Sequence, residues 1–254
     1  MNHKNKSKKI ISRSELSEEL LGFGEKMAKD EPLKKDALKM LAKADEYNWI
    51  HQTSWFGEPI LNLPQDMFAL QDIIFRTRPD YIIEVGVAWG GSLLFYSTLM
   101  EILGGKKIIG IDVYVPDDLL TRINSFKMLS NRIEWIIGSS IEQKTIEKVK
   151  KILRNSKNTM IVLDSDHTHK HVLKELKLYS EFVGLGKYLI CGDTIVNDIP
   201  EQKHRPRKWG PKDNPKTALD EFFRQNDRFE IDTNLENKLL LTCNPNGYLV
   251  AIKD

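Results

Sequence analysis

Five short apolar runs, each followed by a segment of helix length, constrain this fold more than any other feature of the sequence. They are YIIEV (81–85), KIIGIDV (107–113), IEWIIG (133–138), MIVLD (160–164) and KYLIC (187–191). Runs that are apolar on both faces suit a parallel sheet covered by helices, because a strand buried on two sides has no polar face to present. Two further runs, KLLLTC (238–243) and GYLVAI (247–252), flank Asn-Pro-Asn-Gly, and the Asn246-Gly247 step favours a tight reversal. They predict an antiparallel C-terminal hairpin at the sheet edge. The fold class is thus α/β: a Rossmann-like, mostly parallel seven-stranded sheet.

With 254 residues and 41% hydrophobic content, one substantial core and a short extension are expected. Residues 1–15 read as a disordered basic tail, 16–60 as an N-terminal helical extension and lid, and 61–254 as the catalytic domain. Within the extension, 16–48 is rich in helix formers, whereas 49–66 holds two tryptophans, a glycine and two prolines, too punctuated for a long element. A helix around Met67–Phe75 follows, stopped by Pro79.

Composition excludes several classes. Lys+Arg 38 against Asp+Glu 36 leaves a net charge of +2, which carries no electrostatic footprint for nucleic acid. Only two cysteines, Cys191 and Cys243, occur, both in apolar runs; they read as buried free thiols and a reducing compartment. No apolar stretch reaches the ~18 residues of a membrane span, so a cytoplasmic location is expected.

The chemistry starts where the first apolar run ends. Glu84-Val-Gly-Val-Ala-Trp-Gly-Gly-Ser92 is a glycine-rich turn in which Gly86 permits close backbone approach, with Gly90 and Gly91 before a helix start that Ser92 could cap. The spacing is not the G-x-G-x-x-G of a dinucleotide site, which sets a pyrophosphate on a helix N-terminus, so a dehydrogenase is disfavoured. A nucleoside without phosphate, S-adenosylmethionine (SAM), fits better. Asp112, ending the next run, could accept bonds from both ribose hydroxyls, although an ordinary turn with a capping aspartate has the same appearance. Ser139 and Ser140 fall at the same carboxyl edge and could reach the adenine.

Acids and histidines crowd the fourth run's end, at Asp164-Ser165-Asp166-His167-Thr168-His169, and Asp193 follows the fifth. Adjacent parallel strands would set Asp164 beside Asp193, a pair able to bind Mg²⁺, which takes one or two protein carboxylates. The ion would lower the pKa of an acceptor hydroxyl, and His167 could take its proton. Each residue has a plainer explanation: Asp164 could simply bond backbone, Asp166 could cap the next helix, and His169 and His171 could lie on a solvated face.

Several ordered stretches carry a family likeness: Gln52 to Gly57, Arg78 to Ser92, Asp164 to His167, Asp193-Thr194 and Asn244 to Leu249. Together, over about 49–252, they resemble the cephalosporin hydroxylase family, whose members are similar to class I methyltransferases and include sugar O-methyltransferases acting on rhamnosyl groups. The resemblance implies a class I methyltransferase fold and a SAM-dependent O-methyltransferase. It maps the cofactor loop to Glu84, Gly86, Gly90 and Ser92, the ribose acid to Asp112, and the magnesium ligands to Asp164 and Asp193. Gly192 departs from the family, which can present a glutamate ligand there. His167 sits where more distant catechol-type relatives place a lysine, so its role as base is an analogy.

Segment 195–216 is polar, basic and proline-rich, and would overhang the acceptor. Within it His204, Arg207 and Trp209 are the candidate acceptor-binding residues, with Arg205 and Lys208 beside them; a solvated loop is the competing reading. The expected acceptor is a hydroxyl on a sugar or other small molecule or glycan, and the expected assembly a homo-oligomer. Two alternatives stay open: metal-free transfer using His167, and a non-catalytic subunit that binds a partner enzyme.

Overall fold

The computed structural model describes residues 12–254. In chain order the elements are α1 (Arg13–Ala28), α2 (Glu31–Asp45), β1 (Thr53–Trp55), β2 (Glu58–Ile60), α3 (Pro64–Thr77), β3 (Tyr81–Val85), α4 (Gly91–Leu103), β4 (Lys107–Asp112), α5 (Asp117–Ser125), α6 (Lys127–Ser130), β5 (Ile133–Ile137), α7 (Gln143–Leu153), β6 (Thr159–Leu163), α8 (His169–Tyr179), β7 (Tyr188–Cys191), α9 (Pro215–Gln225), β8 (Phe229–Ile231), α10 (Thr233–Glu236) and β9 (Tyr248–Ala251). The seven-stranded sheet has the order β5-β4-β3-β6-β7-β9-β8. β3 to β7 run parallel, while β9 is antiparallel to both β7 and β8.

Each of the five apolar runs becomes a parallel strand; side-chain parity explains why the four inner ones are apolar on both faces, while β5, at the sheet edge, leaves Glu134 and Ile137 exposed. On β6, Met160 and Val162 enter a core shared with α3 and α4, while Ile161 and Leu163 enter one shared with α7, α8 and α9. Ile82 and Ile108 belong to the first core; Ile83, Val85, Ile109 and Ile111 belong to the second. The strand order reverses between β3 and β6, and the carboxyl ends of these two strands open the crevice that such folds use for ligands.

The C-terminal hairpin is corrected in its pairing. β9 forms as expected, but its edge partner is β8, and 238–243 is not a strand. The backbone there is served by α3 instead: Gln65 donates to the Leu241 carbonyl, and the Cys243 N–H donates to Asp66 Oδ2 at 2.8 Å. An apolar run alone does not distinguish a strand from a buried irregular segment.

The tail expectation also changes at its edge. Ser12 caps α1 in a capping box with Glu15, so 13–15 are helix rather than disordered tail; residues 1–11 lie outside the described residues. The punctuated 49–60 stretch is a short 3-10 turn followed by the β1–β2 hairpin, with Phe56 (φ 51°) and Gly57 (φ 87°) at its tip. A third, small core docks the extension: Ala37 and Leu41 of α2 pack with Ile50, Leu63, Ile195, Ile199 and Cys243. Cys191 and Cys243 are buried free thiols. No helix among the described residues is long and apolar enough to cross a membrane.

Candidate active site

A cavity of about 560 Å³ opens over the carboxyl ends of β3, β4, β5 and β6. Its floor is the glycine turn. Gly86 has φ 87°, and a Cβ there would fall 1.9 Å from the Asp164 carbonyl oxygen, so only glycine lets the ends of β3 and β6 approach this closely. Gly90 (φ 79°) is the N-cap of α4. Ser92 does not cap that helix. It lies within the first turn and donates from Oγ to Glu84 Oε2 at 2.7 Å, while the Tyr96 hydroxyl donates to Glu84 Oε1 at 3.2 Å. Burial pushes the Glu84 carboxyl up to about 8, against the two hydroxyls that favour its charged form.

Asp112 braces the turn. Its Oδ2 accepts from the Val87 and Ala88 N–H groups at 2.9 and 3.3 Å, and its Oδ1 accepts from Tyr114 N–H. The carboxylate lies on the cavity wall, where further lone pairs can meet ribose hydroxyls. Ser139 and Ser140 also line the cavity, but Ser140 is engaged: its Oγ donates to Glu175 and lies 3.0 Å from His171 Nε2.

Glu175 was missed in the sequence. It is fully buried on α8 and gathers Ser140, Ser165 (2.7 Å) and His171 (3.1 Å) onto Oε1. The hydrogen bond to Glu175 holds His171 above the usual imidazole range. The signal was the four-residue spacing of His171 and Glu175, which rules out a solvated face for His171. His169 is half-buried rather than free on the helix face. It ties α8 to α9 through Thr217 (2.9 Å) and Glu221 (3.1 Å). Asp166 takes the plain role, accepting from the Thr168 N–H and hydroxyl at 2.9 and 2.6 Å.

The fold brings Asp164, His167 and Asp193 together, with ligand atoms all within 4.8 Å of one another. His167 Nε2 lies 3.9 Å from Asp164 Oδ1 and 3.6 Å from Asp193 Oδ2. Two bonds of ~2.1 Å to one Mg²⁺ span up to about 4.2 Å; the Asp164 and Asp193 oxygens, the hard donors of the group, lie within 4.8 Å of each other, close to that span. Burial first, and the Asp193 carboxylate second, push Asp164 up to about 7; 29% of its side chain stays open to solvent in the cavity, which moderates the effect of burial. Gly192 has a structural reason: a Cβ there would meet the Leu163 carbonyl at 2.8 Å and Asp164 Oδ1 at 3.0 Å. No side chain enters at that position without moving Asp164.

The overhanging loop divides. Trp209 lines the cavity edge-on to His167, ring centroids 4.8 Å apart, and the Arg207 guanidinium sits 5.4 Å over the Trp209 ring. His204 does not line the cavity. It pairs with Asp45 (3.0 Å); Arg205 (2.6 Å) and Gln202 (2.6 Å) also reach Asp45 but line the cavity. Arg205 also reaches His51, a cavity residue that sequence reasoning passed over because nothing near it in the chain marks a site. Asp45, 1% exposed at the end of α2, therefore latches the loop to the N-terminal extension. Asp45→Ala removes the buried partner of donors that keep 20–33% of their side chains exposed, which sets the cost at the low end for a buried pair, about 3 kcal/mol. Thermal unfolding should show a midpoint lower by about 10 °C; a shift within error would mean the latch contributes nothing to the fold.

An acid and histidine cluster facing a glycine turn, at the switch point of a sheet with this strand order, defines a class I methyltransferase fold. The family model for rhamnosyl O-methyltransferase/CmcI matches residues 47–252, and the chain belongs to that family. Its enzyme class, a SAM-dependent O-methyltransferase, is the one the motifs implied. The rhamnosyl O-methyltransferase of Mycobacterium tuberculosis (strain H37Rv) is 29% identical over 225 residues, 82% of this chain and 85% of that protein. The Mycobacterium leprae rhamnosyl O-methyltransferase is 29% identical over 218 residues, 82% of this chain and 90% of its own. Among solved structures, an apo form of CmcI superposes with TM-score 0.56 at 20% identity, covering 80% of this chain and 78% of that one. A CmcI structure with Mg and SAM gives TM-score 0.56 at 20% identity, covering 79% and 77%. At that identity the likeness speaks for the fold alone.

Proposed function

We propose that this chain transfers a methyl group from SAM to a hydroxyl of a sugar or sugar-bearing molecule, with a divalent cation held by Asp164 and Asp193. The observation that carries the reading is the Asp164–His167–Asp193 cluster facing the Gly86 turn across one cavity. The names of the mycobacterial relatives support a sugar acceptor, rhamnosyl in their case.

The glycine turn would hold the donor, with Asp112 for its ribose and Ser139 and the Ser140–Glu175–His171 network for its adenine. Asp164 and Asp193 would hold a divalent cation, which would supply Lewis acidity to lower the acceptor hydroxyl's pKa. His167 Nε2 takes the hydroxyl proton. Trp209, packed edge-on to His167, presents a ring against which a sugar face can stack. Arg207 and the latched loop cover the acceptor and exclude water. Association into a homo-oligomer is supported by the exposed Leu16, Leu20 and Phe23 on α1, and light scattering on the purified chain checks it.

Calorimetric titration with S-adenosylhomocysteine, with and without Mg²⁺, tests the donor site. Micromolar binding that is lost in Asp112→Ala is expected; no binding under either condition overturns the reading. Binding without turnover over a screen of sugar acceptors, together with co-purification of another enzyme, would favour the non-catalytic subunit. Transfer that is insensitive to EDTA but lost in His167→Ala would favour the metal-free route.

The cation should also compete with protons. Because Asp164 is held up to about 7, it carries a proton below that pH and must lose it to ligate. Apparent Mg²⁺ affinity should therefore fall toward tenfold per pH unit as pH drops below 7 and level off above it. Titrations at pH 6, 7 and 8 check this, and a flat profile contradicts it.

A further inference from the structure

We infer that Asn244 is a positioning residue for the cation site, holding Asp193 in the backbone conformation that aims its carboxylate at Asp164 and His167. The inference rests on the metal reading above and adds a residue to it. Asp193 lies in the left-handed region, φ 52° and ψ 27°, where a side chain other than glycine is disfavoured unless its surroundings hold it. The restraint comes from the 242–247 segment. The Asp193 N–H donates to Asn244 Oδ1 at 3.1 Å. On either side the Thr194 hydroxyl donates to the Pro245 carbonyl at 2.7 Å, and Ile195 N–H to the Cys243 carbonyl at 3.1 Å.

Asn244 is itself fixed. It is 2% exposed, and its Nδ2 donates to the Tyr248 hydroxyl at 3.2 Å, which donates in turn to Asp66 Oδ1 at 2.9 Å. Because the Tyr248 proton goes to Asp66, the hydroxyl is left as an acceptor, and the amide must present Nδ2 to it and Oδ1 to Asp193. A chain of bonds thus runs from α3 through β9 to the turn after β7. Gly247 permits it, since a Cβ there would come 2.3 Å from the Cys191 carbonyl oxygen. The Asn-Pro-Asn-Gly segment, which the sequence suggests is a hairpin turn, is on this account the support of the second carboxylate.

The test is Mn²⁺ titration of the purified full chain, Mn²⁺ standing in for Mg²⁺ at a hard-donor site, with S-adenosylhomocysteine titrated in parallel. Asn244→Ala should weaken Mn²⁺ binding roughly 10–100-fold, the usual effect of removing a group that orients a ligand, with S-adenosylhomocysteine binding unchanged. Tyr248→Phe, which frees the amide without removing it, should weaken Mn²⁺ in the same direction by less; it decides the matter should Asn244→Ala not fold. A folded variant with wild-type Mn²⁺ affinity overturns the proposal, whatever its melting temperature. Wild-type protein that binds S-adenosylhomocysteine but no Mn²⁺ overturns the metal reading first, and this proposal with it.

Discussion

Methyl transfer should fall by about 10³-fold in Asp164→Ala and in Asp193→Ala, with S-adenosylhomocysteine binding retained in both variants. Lewis-acid stabilisation is worth several kcal/mol, and each ~1.4 kcal/mol is tenfold in rate. Each variant keeps only one carboxylate beside His167, too few donors to hold the ion against water. The effects should not add: Asp164→Ala combined with Asp193→Ala should be little slower than either alone, because both remove the same ion. Single-turnover transfer of labelled methyl to an acceptor sugar measures this. Undiminished transfer in both variants would remove the metal from the mechanism.

Gly86→Ala is expected to lose S-adenosylhomocysteine binding and to destabilise the fold by about 2–5 kcal/mol, from positive-φ strain of ~1–2 kcal/mol and overpacking of ~1–3 kcal/mol. The added Cβ would meet only backbone: the Asp164 carbonyl oxygen at 1.9 Å, its carbon at 2.6 Å and Ser165 Cα at 2.8 Å. Relief requires the ends of β3 and β6 to separate, and those ends form the cavity floor. Gly104 is the internal control, since it shares φ 87° yet has nothing within 4 Å of a Cβ. Gly104→Ala should therefore show the backbone strain alone, about 1–2 kcal/mol, with ligand binding intact. Chemical denaturation of the two variants separates the terms. Equal losses would mean that the close approach at Gly86 carries no cost of its own.

What the sequence determined by itself was whatever is encoded locally or by a short period. Doubly apolar runs specified four of the five parallel strands nearly to the residue, because burial on two faces leaves a mark in consecutive positions; β5 at the sheet edge leaves Glu134 and Ile137 exposed. The E-x-G-x-x-x-G turn, and the acids just beyond the strand ends, were legible because a strand's carboxyl end has a fixed place in this kind of sheet.

The tertiary structure decided what depends on partners far away in the chain. Ser92 looked like a cap and is a donor to Glu84; His204 looked like an acceptor contact and pairs with Asp45, at the end of α2 and remote from it in the chain. Residues 238–243 looked like a strand, yet their backbone bonds are met by Gln65 and Asp66 of α3. Glu175, His51 and Asn244 gain their roles only where the fold sets them against Ser140, Arg205 and Asp193. A polar side chain takes whichever partner the packed chain places within about 3 Å, and that partner cannot be read from the neighbours in sequence.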